Sequence, residues 1–343
     1  MRVVITHNEV TLTSAPDERD VLVQMNAVAE ALAKLGHEAV PLSCDLDLAT
    51  FKSEIERMQA DCIFNLVESL DGRGQLIGLI PSLLDTMGIP YTGSPSASIY
   101  LTSHKVMAKE KLRAAGLPTP AWVGPYPHEH CSKYAFDSPV FRPEGPWIVK
   151  SVWEHASVGL SGKGLVFENR PENLIECLRL RAPELGDACF AESYIDGREF
   201  NLSLLAGPDG PIVLPPAEIV FEGYQDNQPK IVCYKAKWDE TSFEYSHTPR
   251  RFDFPKSDES LVGELSQIAV RCWQIFGLRG YARVDFRVDG NGGPWILEVN
   301  ANPCLSPDAG FAAAVDRSGM PFDQAIECIL SDVFWCQKCP SCS

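Results

Sequence analysis

The chain has 343 residues, 45% of them hydrophobic, enough for two or three domains that each bury a core. Its 46 acidic residues against 30 basic ones leave a net charge of -16, which argues against binding a nucleic-acid backbone, since that needs clustered Lys and Arg. No apolar run approaches a membrane span, residues 1–10 hold no signal-like apolar core, and the twelve cysteines are mostly scattered singly, as expected of reduced thiols in a cytoplasmic protein with no membrane partner.

The first hundred residues alternate β-like and helical patterns. Strand Arg2–Thr6 is followed by an amphipathic helix, Val21–Leu35, that ends at Gly36. Strand Ala39–Leu42, helix Leu48–Gln59, strand Cys62–Val67, helix Gln75–Met87 ended by Gly88, and the strand-like Pro90–Thr92 come next. This order predicts α/β organisation with a small doubly wound parallel sheet. Gly72, Gly74 and Gly78 read G-x-G-x-x-x-G several residues after a strand, a poor dinucleotide fingerprint, so a nicotinamide-dependent oxidoreductase rests on little. No G-x-x-x-x-G-K-[ST] sequence occurs.

A Lys-rich helix, Ser103–Ala115, opens a second unit. Strand Trp147–Ser151, a glycine-bearing turn from Ser157 to Gly164 and strand Leu165–Glu168 form a candidate phosphate lid, although hairpin loops are often Gly-rich for turn geometry alone. The run Cys189–Gly207 reads as strand, turn at Asp196-Gly197 and strand, with Glu192 and Glu199 flanking the turn. A polar stretch, Tyr224–Arg251, carries Lys235, Lys237 and Trp238, and helices Leu261–Phe276 and Phe322–Phe334 follow. Cys336, Cys339 and Cys342 supply three ligands where zinc wants four, so free thiols on a frayed end are expected rather than a metal.

Between the last two helices, GYARVDFRVDGNGGPWILEVNANPCL predicts a hairpin centred on Asn291-Gly292. Period-two alternation then pairs Asp285 with Glu298, Arg283 with Asn300, Val284 with Val299 and Phe286 with Leu297, giving one polar and one apolar face. Two opposed carboxylates repel unless a cation lies between them, and a hard divalent ion such as magnesium is the natural one. A solvated hairpin face is the competing reading of this segment alone.

In order, IPYTGS at 89–94, Lys105, WIVK ending at Lys150, FAESYIDGREF at 190–200, YKAKW ending at Trp238, and RVDF with LEVNANP resemble the D-alanine:D-alanine ligase family of the ATP-grasp fold over nearly the whole chain. The resemblance implies α/β architecture, α+β in the grasp domains: an N-terminal domain over 1–98, a central subdomain over 99–189, a C-terminal domain over 190–335 and a Cys-rich tail over 336–343. It implies ATP with magnesium or manganese, and an amide bond made from a carboxylate and an amine through an acyl phosphate. Lys105, Lys150 and Ser157 would contact phosphates, Glu192, Ser193, Tyr194 and Ile195 the adenine, Glu199 the ribose, and Lys237 the terminal phosphate. Asp285, Glu298 and Asn300 would hold the metal, Arg283 would stabilise the reacting carbonyl, and Glu18 would grip the first substrate's ammonium. THNEV after the first strand, Ala156, Trp238 and SPDAGF at 306–311 depart from the ligase pattern, which points to small carboxylate and amine substrates other than D-alanine. A homodimer is a compatible assembly. An ATP-binding regulator without ligase activity is the alternative, and Arg283 argues against it.

Overall fold

The computed structural model describes residues 1–11, 13–127, 146–153, 165–168, 171–225 and 228–335. The glycine turn with Ala156 and Ser157, and the cysteine tail, lie outside the described residues.

Strands β1 (Arg2–Asn8), β2 (Glu38–Cys44) and β3 (Cys62–Asn65) form a parallel sheet in the order β2-β1-β3. Helices α1 (Pro16–Lys34), α2 (Leu48–Met58) and α3 (Leu79–Met87) alternate with them. Successive β1 residues face opposite ways, as a strand buried on both faces requires. Val3 and Ile5 pack with Val28 and Leu32 of α1, while Val4 packs with Phe51, Ile55 and Leu84 of α2 and α3. The predicted helix 75–87 is split: a short 3-10 turn, Gly74–Leu76, precedes α3. The segment 90–92 contributes a single parallel bridge, Ile63 to Tyr91.

Two adjoining helices follow, α4 (Ser96–Ser103) and α5 (Lys105–Ala114), the break coming at His104, whose ring accepts the Met107 N–H. A four-stranded antiparallel sheet is built from β4 (Trp122–Tyr126), β5 (Trp147–Ser151), β6 (Leu165–Val166) and β7 (Cys189–Ser193), in the order β4-β7-β5-β6. Helix α6 (Pro171–Arg181) covers one face through Leu174 and Leu178.

The third sheet runs β11-β10-β8-β12-β13, with β9 beside β8. Its strands are β8 (Arg198–Gly207), β9 (Gly210–Val213), β10 (Ala217–Ile219), β11 (Arg250–Arg251), β12 (Tyr281–Val288) and β13 (Pro294–Asn300). The polar stretch contains two short helices, α7 (Tyr234–Trp238) and α8 (Phe243–Ser246). Helix α9 (Glu259–Phe276) packs Leu265, Ala269 and Cys272 against the sheet. Helices α10 (Gly310–Arg317) and α11 (Phe322–Trp335) end the described chain, and Ile326, Ile329 and Leu330 of α11 join the core beneath β1. The last helix thereby closes the first sheet. β7 and β8 are consecutive yet lie in different sheets, so residues 194–197 carry the chain from one wall to the other.

The β12–β13 hairpin corrects one predicted pairing. Arg283 faces Asn300, Val284 faces Val299 and Asp285 faces Glu298, but Phe286 faces Ile296. The ladder shifts between Asp285 and Phe286, leaving Leu297 as an extra residue. The turn explains the difference. Asp289 accepts the N–H groups of Asn291 and Gly293 and the Trp295 indole N–H at 2.9–3.0 Å, which holds a wider loop in which Gly292 alone is left-handed, with φ 83°. That loop sets Val288 against Pro294. Without the bulge, Leu297 would oppose Asp285 and Glu298 would turn to the apolar face.

Candidate active site

A cavity of about 500 Å³ has the second and third sheets for walls and α1, α5 and α7 at its margins. The polar hairpin face forms one wall. Arg283 donates to both oxygens of Asp285, at 2.7 and 2.9 Å, and Asn201, opposite Asp285 on β8, donates to the same carboxylate at 2.9 Å. Burial opposes the Arg283 charge, but Asp285 and then Glu298 more than offset it and raise its pKa. Lys105 Nζ lies 3.9 Å from Glu298 Oε1. The opposed carboxylates therefore need no metal ion to be tolerated, a correction to the repulsion expected from sequence: three protein donors already surround Asp285, and a lysine faces Glu298.

The donor set nevertheless suits magnesium. Among the described residues no group of three or more His, Cys, Asp or Glu is placed to hold a metal. What the hairpin offers is two carboxylates and the Asn300 amide oxygen, which accepts the Asn302 N–H at 2.9 Å. Magnesium is usually held by one or two carboxylates together with substrate phosphates, not by an all-protein cage.

On the opposite wall, Lys150 of β5 and Glu192 of β7 meet at 2.5 Å, and Lys109 of α5 reaches the other Glu192 oxygen at 2.5 Å. Glu192 is 1% exposed. Burial opposes its charge, yet the two lysines hold its pKa below the usual carboxylate range. Ser193, Tyr194 and Ile195 line the cavity beyond it, and the N–H groups of Ser193 and Tyr194 are spent on Ala121 and Pro146 carbonyls. Glu199, on β8, is also buried. Burial raises its pKa against the pull of Arg287, whose guanidinium lies 2.9 Å away and also donates to the Gly197 and Lys230 carbonyls.

Lys237 of α7 reaches the cavity with an accessible side chain that protein surrounds on several sides. That enclosure, and then Arg283, lower its pKa, while Glu298, Asp285 and Glu199 oppose the shift. Trp238 lines the same margin, and its indole N–H has no hydrogen-bond partner among the described residues.

Glu18 is the exception among the predicted residues. It lies off the cavity wall, because it stands in the first turn of α1 and folds back to accept the Ala15 N–H at 2.9 Å, the glutamate half of a capping box. Asp20 reaches the cavity instead. It accepts from Ser306 at 2.8 Å and from the Cys304 thiol at 2.9 Å, and Glu68 lines the wall nearby, bound to Gln24 at 2.8 Å. Burial raises the Cys304 pKa well above the ordinary thiol range, with Glu68 and Asp20 adding to the rise.

Asn201, Arg287, Lys109, Asp20 and Glu68 were not read from sequence. Two carried a signal: Asn201 shares a strand face with Glu199, and Arg287 with Arg283 and Asp285. Lys109 follows Lys105 by one helical turn, which makes it a neighbour on the helix surface but does not mark it as a buried residue of the site. Asp20 and Glu68 carried none.

Comparison with known proteins shows the family and the fold. Residues 112–331 match the family model described as D-ala D-ala ligase C-terminus. A D-alanine–D-alanine ligase of Synechococcus sp. (strain JA-3-3Ab) is 31% identical over 317 residues, covering 92% of this chain and 90% of its own. The chain belongs to the D-alanine–D-alanine ligase family. Another relative, the D-alanine–D-alanine ligase of Moorella thermoacetica, is 30% identical over 314 residues, covering 87% of this chain and 91% of its own. The crystal structure of the Bacillus anthracis D-alanine–D-alanine ligase complexed with ATP superposes with a TM-score of 0.72 at 20% identity, over 97% of each chain. The fold is thus the ATP-grasp fold of these ligases, and no helix among the described residues is long and apolar enough to cross a membrane.

Proposed function

We propose that this protein is an ATP-dependent ligase that joins a carboxylate to an amine through an acyl phosphate, as its family membership indicates, with a substrate pair other than two D-alanines. The observation that carries the reading is convergence: Arg283, Asp285, Glu298 and Asn300 on one wall face Lys105, Lys150 and Lys237 across a single cavity. Phosphoryl transfer asks a protein mainly for positioning and for cations around spreading negative charge.

Lys150 and Lys105 would hold phosphate oxygens, and Lys237 would reach the terminal phosphate from its marginal helix. Ser193 to Ile195 would lie along the adenine and Glu199 would take the ribose hydroxyls, held in place by Arg287. Asp285, Glu298 and Asn300 would bind magnesium, which when bound neutralises phosphate oxygens. Arg283 uses two of its five N–H donors on Asp285, so three are left for the oxyanion that develops on the reacting carbonyl. An oxyanion donor has no use in a protein that only binds ATP.

The substrate end supports the finer part of the reading. Trp238, Asp20, Cys304, Ala309 and Gly310 line the same cavity as Arg283. Glu18 is engaged in the first turn of its own helix and does not line the cavity.

Purified protein with ATP and magnesium, offered D-alanine alone and then pools of amino acids and dipeptides, should release ADP with a pool and little with D-alanine. Mass spectrometry of the products identifies the amide. Release with D-alanine alone at the highest rate would overturn the substrate reading, and no release with any pool would overturn the ligase reading.

A further inference from the structure

Lys109 does not line the cavity that Lys105, Lys150 and Lys237 reach. Its side chain is 2% exposed, its Nζ forms an ion pair with Glu192 Oε2 at 2.5 Å, and it donates to Thr119 Oγ1 at 2.7 Å and the Pro120 carbonyl at 3.1 Å. Three oxygens thus surround the ammonium. Each end of this cluster leads to a different half of the site. Through Glu192 it reaches Lys150, held at 2.5 Å by the second carboxylate oxygen. Through Thr119 it reaches the hairpin, because the Thr119 hydroxyl donates to the Ile296 carbonyl at 2.9 Å, and the Ile296 N–H returns to the Pro118 carbonyl at 2.9 Å. Ile296 is the last regularly paired residue before the Leu297 bulge, and Glu298 follows at once.

We propose that Lys109 is a positioning residue that ties Lys150 to the bulged, carboxylate-bearing edge of the hairpin, fixing the separation between the cationic and metal-binding halves of the nucleotide site. This rests on the ligase reading given above. The charge balance gives the reason. One glutamate shared by buried Lys109 and half-buried Lys150 leaves a net positive charge, and Lys150 can offer it to a phosphate because Lys109 carries half of Glu192. With Lys109 neutralised, the whole carboxylate falls to Lys150 and draws its ammonium away from the cavity, while Thr119 loses the donor that orients its hydroxyl toward Ile296. A buried lysine kept only to hold the fold would affect stability without separating the metal-dependent part of nucleotide binding from the rest. Burial pushes Lys109 down to about 8 even beside Glu192, so it remains mostly charged at neutral pH.

The test is calorimetric titration of the full chain with a non-hydrolysable ATP analogue, with and without magnesium. In Lys109→Met the magnesium-analogue complex should bind at least about tenfold more weakly, the size expected when a charged hydrogen-bond partner is lost. Lys109→Arg, which keeps the charge, should recover most of that loss. Thr119→Val should reduce the gain in affinity that magnesium brings, while metal-free binding stays within about twofold of wild type. A folded Lys109→Met that binds like wild type overturns the proposal, as does a Thr119→Val that loses metal-free and magnesium-dependent affinity equally. If Lys109→Met does not fold, Thr119→Val alone decides. Failure of the wild-type chain to bind the analogue sinks the ligase reading and the tie together, whereas normal wild-type binding with an unaffected variant sinks the tie alone.

Discussion

Glu68 gives the prediction that the structure quantifies best. Its carboxylate lines the cavity with one bond from Gln24, and its pKa is pushed up to about 7 by burial, opposed by that bond and reinforced by Asp20 and Asp17. The folded value is raised above the ordinary 4.5, so between 4.5 and 7 the folded state holds more proton than the unfolded one. Stability from this group is therefore fully present below about pH 4.5 and is lost as pH rises through about 7. At about 1.4 kcal/mol per pH unit the ceiling on that loss is about 3 kcal/mol, and access of the cavity to water brings the expected value nearer 1–2 kcal/mol. Glu68→Gln keeps an acceptor for Gln24 and cannot ionise. The variant should match wild type in urea unfolding near pH 5 and exceed it by about 1–2 kcal/mol at pH 8. The same stability difference at both pH values, or a variant weaker than wild type at pH 8, would refute the reasoning.

Three further outcomes follow from the site. Glu298→Gln should lower ATP turnover by about 100-fold or more while changing unfolding free energy by less than about 1 kcal/mol, because Lys105 loses only a partly exposed partner at 3.9 Å; near-normal turnover at limiting magnesium would count against the metal assignment. Gly197→Ala places a Cβ 2.0 Å from the Val288 carbonyl oxygen at φ +144°, and should cost more than about 3 kcal/mol, read as a large drop in Tm. Arg287→Met leaves the buried Glu199 without its cation, and should cost about 3 kcal/mol and raise the KM for ATP; a stable variant with unchanged KM would show that Glu199 does not need that partner.

Much of the site was legible because strands write their faces into alternate positions. The pairs Arg283–Asn300 and Asp285–Glu298 could be read at a distance of thirteen residues or more, and the same rule reaches Asn201 and Arg287 once it is extended by two residues from Glu199 and from Asp285. What the rule cannot supply is a compensating irregularity. The wide Asp289 loop and the Leu297 bulge each shift the ladder, and only the Asp289 carboxylate, by collecting three donors, reveals why the loop is wide. Glu18 and Asp20 show a second kind of gap. Both sit in one helical turn, and the choice of which carboxylate faces the cavity is made by the helix terminus, whose free N–H at Ala15 competes for Glu18. Lys109 shows a third, since nothing in a run of exposed-looking lysines marks the one that tertiary packing will bury.

The Leu297 bulge also separates the site from its own turn. β12 is registered against β8 along all eight of its residues, so Asp285 is placed from the sheet side and not from residues 289–293. Those residues sit roughly 13 Å along the strand from Asp285, and Gly290, Asn291 and Gly292 are exposed. The tip is consequently a place where foreign sequence can be spliced in, such as a short epitope or a cysteine carrying a fluorophore, giving a reporter that rides on the carboxylate-bearing edge without displacing it.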